Sequence, residues 1–230
     1  MSKPEPGHIR SFGRRRGRRL RAGQQELLDA WLPKLVIPAT PAERLDPAAL
    51  FAVQPSQLWL EIGFGAGENL AMQAAAHREI GFIGCEPFVN GVVALLSAVR
   101  THGLTNLRIW TGDVRDLLPR LAPGALGRVF ILFPDPWPKS RHHKRRLIQG
   151  DFLDDLARAM RPGAELRLAS DHRGYLASML EHLTRHPAFA WQAAEPADWR
   201  ERPADQPQTR YERKAIGAGR RPVYLGFRRR

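Results

Sequence analysis

The chain has 230 residues, of which 43% are hydrophobic, so it can bury one core with an appendage but not two large ones. Its formal net charge of +13 argues for a polyanionic partner and against a small neutral molecule as the only ligand. One cysteine, Cys85, excludes an intrachain disulfide and a cysteine-based zinc cluster, and no apolar run reaches the ~18 residues of a membrane span.

The first 22 residues form a basic arm. They hold eight lysines and arginines, one glutamate and few apolar side chains, so they supply +7 of the net charge. Such a segment cannot pack by itself, and we expect a flexible, disordered arm that orders on RNA or DNA. The apolar segment of a secretory or twin-arginine signal does not follow, because residues 22–29 read AGQQELLD. The chain is therefore expected to be cytoplasmic.

Behind the arm, residues 23–55 are predicted to form a short amphipathic helix, 24–32, and a proline-punctuated connector. Residues 56–230 alternate between apolar strands and helices. The predicted strands are 58–62, 81–85, 107–111, 129–133, 165–169 and 222–227, and the predicted helices are 68–77, 89–101, 114–121, 145–160 and 175–185. This alternation predicts an α/β domain with a doubly wound, mostly parallel sheet.

A glycine-rich turn follows the first predicted strand. Its glycines, Gly63, Gly65 and Gly67, let the backbone turn tightly and let a ligand approach. The spacing is GxGxG, whereas dinucleotide-binding proteins have GxGxxG, which disfavours a nicotinamide-dependent oxidoreductase. Glu61 stands two residues before the first glycine, where it would repel a pyrophosphate and attract an ammonium group. A ligand-free strand-to-helix turn is the alternative interpretation.

Two further acids follow the next two strands. Glu86 comes 19 residues after Gly67, close to the ~20 at which an acid accepts hydrogen bonds from a ribose diol. Asp113, after the third strand, is placed to receive an adenine amino group. Together with Glu61 these acids predict S-adenosyl-L-methionine as the cofactor and a Rossmann-like class I methyltransferase fold.

The segment from Phe130 to Arg146, FILFPDPWPKSRHHKRR, joins a buried strand, an acid and a cationic run. Pro134 and Pro136 stop the strand, so Asp135 is expected at its carboxyl end, the edge at which ligands bind in parallel sheets. A plain turn and a solvated face are the alternatives. The predicted RNA-binding residues of the run are Arg141, His142, His143, Lys144, Arg145 and Arg146.

Taken together, these motifs resemble the bacterial tRNA (guanine-N7-)-methyltransferases. The matching stretches are LEIGFGAGEN at 60–69, GCEPF at 84–88, GD at 112–113, FPDPWPKSRHHKRR at 133–146, SDH at 170–172 and TRYE at 209–212. The resemblance implies a seven-stranded class I methyltransferase sheet and methyl transfer from S-adenosylmethionine to N7 of a guanosine in the tRNA variable loop. Asp135 would contact both the cofactor and the target base.

The resemblance also implies which residues contact the substrate: Lys139, Asp171, Thr209, Arg210, Tyr211 and Glu212. Because guanine N7 carries an unshared pair, no strong general base is needed. We expect Asp135 and Asp171 to hold the N1 and N2 edge of the guanine and to stabilise the cationic ring. No metal, membrane or obligate protein partner is expected, and the protein is predicted to be a monomer or homodimer.

Two other functions stay open from the residues alone. A methyltransferase for an exocyclic base amine is the nearest enzymatic alternative, since Asp135, Pro136 and Trp137 distantly echo the motif of those enzymes. The alternative from another class is a protein that binds nucleic acid on an inherited but inactive fold.

Overall fold

The computed structural model describes residue 15, residues 17–39, residue 45 and residues 48–230, which form a seven-stranded sheet with helices on both faces. The strands are β1 (Gln57–Ile62), β2 (Ile80–Cys85), β3 (Leu107–Trp110), β4 (Leu126–Leu132), β5 (Met160–Ser170), β6 (Phe189–Trp191) and β7 (Val223–Arg229). The helices are α1 (Ala22–Leu35), α2 (Glu68–Ala76), α3 (Val89–His102), α4 (Val114–Leu117), α5 (Gly150–Ala159), α6 (Arg173–Arg185), α7 (Ala197–Arg200) and α8 (Arg210–Gly217).

The order of the sheet is β3-β2-β1-β4-β5-β7-β6, and its first five strands are parallel. β7 runs antiparallel between β5 and β6. The order reverses between β1 and β4, which is the switch point where the crevice of an open α/β sheet lies. The predicted doubly wound, mostly parallel fold is confirmed.

The sheet is buried on both faces. On one face α1, α2 and α3 pack through residues such as Leu27, Leu70 and Leu96, and on the other α4, α5 and α6 pack through Leu117, Leu156 and Met179. Strands covered on both sides are mostly apolar, and every residue of β2 is buried. This packing fixes the strand ends that carry the site.

The predicted arm of residues 1–22 falls mainly outside the described residues, which include only residues 15 and 17–22 of it. The described part is bound to the start of α3. The Val89 N–H donates to the Arg15 carbonyl at 3.1 Å, and the Asn90 side chain accepts from Gly17 N–H at 3.0 Å and donates to the Arg18 carbonyl at 2.9 Å. Composition did not reveal this anchor, because it uses backbone groups of the arm.

Several element boundaries differ from the prediction. The basic run forms a 3-10 helix, Ser140–Arg145, and α5 begins only at Gly150. The predicted helix 114–121 is shorter in the structure, where α4 ends at Leu117 and a 3-10 turn follows. Pro119 explains this, because proline lacks the N–H that continuation of the helix needs. The three-residue edge strand β6 was not predicted, because its pattern is too short to show a period. Within the described part of the chain, no helix is long and apolar enough to cross a membrane.

Candidate active site

The carboxyl ends of the parallel strands form one edge of the sheet, and the predicted cofactor-binding residues lie there together with Asp171. In the strand register Ile62 stands beside Cys85, Cys85 beside Trp110, and Leu132 beside Ala169. The residues that follow these positions are therefore neighbours along the edge. They include the glycine loop and the acids Glu86, Asp113, Asp135 and Asp171.

The glycine loop turns through a left-handed backbone that favours glycine. Gly63, Gly65 and Gly67 have φ angles of 72°, 56° and 78°. The loop is also tightly packed, because a Cβ on Gly91 of α3 would lie 2.2 Å from the Gly65 carbonyl oxygen. A Cβ on Gly65 would lie 3.0 Å from the Tyr211 ring, so α8 covers the loop from the other side.

Glu61, the last acid of β1, is 3% exposed and hydrogen-bonded by Asn69 Nδ2 at 2.8 Å. Burial raises the pKa of Glu61 to about 8, and the Asn69 hydrogen bond lowers it while the charge of Glu86 raises it further. Asn69 Oδ1 is buried, and no partner for it is found among the described residues. A carboxylate and a second buried acceptor in this position suit the ammonium group of an amino-acid-like ligand.

Glu86 holds the glycine loop. Its carboxylate accepts from the Gly65 N–H at 2.8 Å and from the Phe88 N–H at 2.9 Å. Burial still raises its pKa, and the charge of Asp135 adds to this rise, although both backbone hydrogen bonds lower it. Glu61, Glu86 and Asp135 thus form a chain of carboxyl groups that a cationic ligand would stabilise.

Asp113 has a structural task besides its predicted one. It is the N-cap of α4, with Oδ1 accepting from the Arg115 N–H at 2.9 Å, and its carbonyl accepts from Trp110 Nε1 at 2.8 Å. An aspartate before a helix is a common N-cap signal, so this role could be read from the sequence. The position at the edge agrees with the prediction, whereas adenine recognition stays a prediction.

The turn that carries Asp135 is strained. Phe133 and Trp137, two residues to either side, have φ angles of 53° and 44°, which for non-glycine residues costs about 1 to 3 kcal/mol each. A hydrogen bond from Phe133 N–H to the Ala169 carbonyl at 2.8 Å holds one end of the turn. The Asp135 side chain is exposed in the crevice, yet the neighbouring atoms desolvate it enough to raise its pKa.

The basic run is not uniform. Lys139, Arg141, His143 and Lys144 are exposed, as a phosphate-binding surface requires. His142 and Arg145 pack against Trp137, at 5.9 Å between ring centroids and at 5.0 Å from the guanidinium carbon to the ring. Arg146 is 5% exposed and differs from all of them.

Asp171 follows β5 and lies 21% exposed beside Arg220, whose Nε donates to its carboxylate at 2.5 Å. His172 caps α6 by accepting the Tyr175 N–H on Nδ1 at 3.2 Å. The predicted acid is thus at the edge, paired with an arginine that the sequence analysis did not connect to it.

The stretch from Thr209 to Glu212 starts α8 and divides into buried and exposed side chains. Thr209 is the N-cap, accepting the Glu212 N–H at 3.2 Å, and Glu212 is 2% exposed, accepting from the Tyr224 hydroxyl at 2.8 Å and from Arg202 Nε at 3.1 Å. The side chains of Arg210 and Tyr211 are exposed. The T-x-x-E spacing is itself a helix-start signal, which was available in the sequence.

Glu68, the first residue of α2, ties α8 to the glycine loop. Its carboxylate accepts from the Arg210 N–H at 2.5 Å and from Arg213 Nη2 at 2.9 Å. The sequence alone does not reveal the role of Glu68, because the contact joins residues more than 140 positions apart in the chain.

A cavity of about 20 Å³ lies between Glu61, Gly63, Asn69, Phe133 and Tyr211. This space suits a group of water or ammonium size. A larger cavity of about 360 Å³ lies between β5, β7 and the segment around α7, but its lining does not include the glycine loop or the acids of the edge. Of the predicted cofactor-binding residues, Glu61 and Gly63 line the smaller cavity, and none lines the larger one.

Comparisons with known proteins place this geometry in context. Residues 55–225 match the model of the family described as "Putative methyltransferase". The tRNA (guanine-N(7)-)-methyltransferase of Rhodospirillum rubrum is 56% identical over 96% of this chain and 88% of its own length. The protein of the same name from Paramagnetospirillum magneticum is 49% identical over 96% of this chain and 93% of its length.

Solved structures agree on the fold. The 16S rRNA (adenine(1408)-N(1))-methyltransferase from Catenulisporales acidiphilia superposes with a TM-score of 0.53 at 18% identity, covering 82% of this chain and 95% of its own. The antibiotic-resistance methyltransferase Kmr gives a TM-score of 0.52 at 18% identity, over 83% and 96% of the two chains. At 18% identity these similarities support the fold and not the function.

Proposed function

Since this chain belongs to the tRNA (guanine-N(7)-)-methyltransferase family, we infer that it transfers a methyl group from S-adenosyl-L-methionine to N7 of a guanosine in tRNA. The observation that carries this function is the meeting of the cofactor acids Glu61 and Glu86 with Asp135 at one sheet edge, beside an exposed basic run. We place the target guanosine in the variable loop of the tRNA, as the resemblance implies.

The residues of the edge fit the cofactor. Glu61 and Asn69 would receive its ammonium group, Glu86 its ribose hydroxyls and Asp113 its adenine amino group, while the three glycines would let it approach the loop. When bound, the cofactor supplies an electrophilic methyl group on a sulfonium. Burial is the main cause of the raised pKa values of Glu61, Glu86 and Asp135, and it supports this assignment, because a ligand with positive charge would stabilise their carboxylate forms in place of the lost water.

The substrate side needs to orient a base rather than to remove a proton from it. Guanine N7 has its unshared pair in the ring plane, so Asp135 and Asp171 are proposed to accept from N1–H and the N2 amino group and to offset positive charge on the ring. The strained turn supports this role for Asp135, since strain of this kind persists where the surrounding structure fixes a functional group.

The exposed cations are proposed to bind tRNA phosphates and set the position of the RNA, while the edge selects the base. This surface comprises Lys139, Arg141, His143 and Lys144, and Arg210 and Tyr211 extend it across the glycine loop. We expect the enzyme to act in the cytoplasm as a monomer or homodimer with no obligate protein partner.

Incubation of the purified chain with methyl-labelled S-adenosyl-L-methionine and unmodified tRNA transcripts tests the proposal. The RNA is then digested and the labelled nucleoside identified. Label in 7-methylguanosine at one variable-loop position is the expected result. Label in N6-methyladenosine would instead favour the exocyclic-amine enzyme, and tRNA binding without label would favour a non-enzymatic protein.

A further inference from the structure

Arg146, the last residue of the basic run, does not lie on the surface that the run presents. Its side chain is buried under the turn that carries Asp135. The Nε atom donates to the Pro136 carbonyl at 3.0 Å, and Nη1 reaches the Gly174 carbonyl at 3.4 Å. The plane of hydrogen-bond donors in a guanidinium suits two acceptors in different directions.

Arg146 and the two residues after it also contact Tyr175 of α6. The guanidinium carbon of Arg146 lies 4.9 Å from the centre of the Tyr175 ring. Tyr175 is fully buried, and its hydroxyl accepts from the N–H groups of Leu147 and Ile148 at 3.1 and 3.3 Å. The chain directly after Arg146 is thus fastened to α6 as well.

The two carbonyls that Arg146 joins belong to the two turns that hold the predicted base-binding acids. Pro136 follows Asp135 after β4, and Gly174 lies three residues after Asp171 at the start of α6. β4 and β5 are parallel neighbours, so both turns leave the same edge side by side. Arg146 is a direct polar link between them.

We propose that Arg146 is a positioning residue for methyl transfer, which ties the strained Asp135 turn to the turn of Asp171 and so fixes the spacing of the two carboxylates. The inference rests on the proposed function and departs from the sequence-based prediction that Arg146 binds RNA phosphates. A phosphate contact needs an exposed positive charge, whereas this link needs the guanidinium shape.

The substitution Arg146→Lys separates these roles, since it keeps the charge and removes the planar donor pair. We expect kcat to fall about 100-fold, the loss that a misplacement of about 1 Å causes, with the Kd for tRNA within about threefold of wild type. In Arg146→Gln, which removes the charge, the slope of log Kd against log salt should stay at the wild-type value.

Arg158 offers a matched control. Its guanidinium also donates to two backbone carbonyls, those of Leu118 and Leu121, but from the end of α5, beside the amino end of β4. Arg158→Lys should therefore lower the thermal midpoint while kcat per folded molecule stays at the wild-type value. Binding of S-adenosyl-L-homocysteine reports the folded fraction of each variant.

A cavity variant, Arg146→Ala, gives a second readout. Methylguanidinium at tens of millimolar should restore part of its kcat, whereas sodium chloride at equal ionic strength should not. Full activity of Arg146→Lys, or a salt slope reduced by about one in Arg146→Gln, would overturn the positioning role in favour of a phosphate contact. A wild-type protein that makes no 7-methylguanosine would instead refute the proposed function.

Discussion

The proposed cofactor side and the proposed tRNA side of this sheet edge are built differently. On the cofactor side Glu61 and Glu86 are buried, and their contacts are with one amide side chain and two backbone N–H groups. On the tRNA side the motif residues divide into exposed cations and buried side chains such as Arg146 and Glu212. Much of the substrate motif therefore maintains the shape of the turns, and we propose ligand contacts for only part of it.

Asp135→Asn should have the largest effect on catalysis. It keeps the shape of the side chain and removes the charge that offsets the cationic guanine ring, so kcat should fall about 100- to 1000-fold. The affinity for tRNA should change little, because phosphates dominate it. Steady-state kinetics with saturating cofactor measure the effect, with Asp151→Asn on the exposed start of α5 as the control. Turnover within twofold of wild type would remove Asp135 from the mechanism.

Glu61→Gln should come next and act on the cofactor alone. Loss of a charged hydrogen bond in a buried site should weaken S-adenosyl-L-methionine binding about 10- to 100-fold, as calorimetry can measure. Because the pKa of Glu61 in the ligand-free protein is raised to about 8, binding of the cofactor ammonium group below that pH should release a proton from Glu61. Its affinity should therefore rise from pH 6 toward pH 8 and level off or fall as the ligand amino group loses its own proton.

In Glu61→Gln this rise should be absent. The free variant should also be more stable than wild type at pH 8.5. The Glu61 carboxyl group ionises at about pH 4.5 in the unfolded chain but only at about pH 8 in the folded protein. The free energy of unfolding of the wild-type protein therefore falls as the pH increases from about 4.5 to about 8. A wild-type affinity that is flat between pH 6 and pH 8 would show that Glu61 is not the ammonium contact.

Glu212→Gln tests whether a buried residue of the predicted substrate motif is structural. Its carboxylate is buried with Tyr224 and Arg202, so the substitution should cost about 2 to 4 kcal/mol of unfolding free energy. If Glu212 is structural, KM for tRNA at 20 °C should stay near the wild-type value for the folded fraction. A raised KM with unchanged stability would support the substrate contact that the resemblance implies. Tyr224→Phe, which removes only the hydroxyl, is the matched control.

Neutralisation of the exposed run should have a smaller effect that depends on salt. In the double variant with Arg141→Gln and Lys144→Gln, the slope of log Kd for tRNA against log salt should decrease by about two, and kcat should be unaffected. Filter binding between 50 and 200 mM salt measures it. An unchanged slope would mean that these cations do not contact phosphates.

Asn90→Ala should have the smallest effect. It removes the side chain that holds the backbone of Gly17 and Arg18 on α3, so the basic arm loses two of the hydrogen bonds that anchor it but keeps every charge. We expect tRNA to bind about threefold more weakly with the salt slope unchanged. A loss of cofactor affinity larger than the loss of tRNA affinity would contradict this reading of Asn90.

The sequence predicted the fold and the edge because both depend on local patterns. Apolar runs that end at a glycine or a proline mark the ends of strands. This local pattern placed Gly63, Glu86 and Asp135 at strand ends without information on long-range contacts. Contacts between distant segments could not be read in this way. Glu68 with α8, Arg220 with Asp171 and Arg146 with Gly174 all depend on tertiary packing.

The most direct test of the account is a tRNA transcript in which 7-deazaguanosine replaces guanosine, so that a C–H group stands where N7 should attack. Its phosphates and its N1 and N2 edge are unchanged. We predict that this transcript binds with the affinity and salt dependence of the normal transcript and accepts no methyl group. Methyl transfer to the deaza transcript at the normal rate would contradict N7 as the reacting atom.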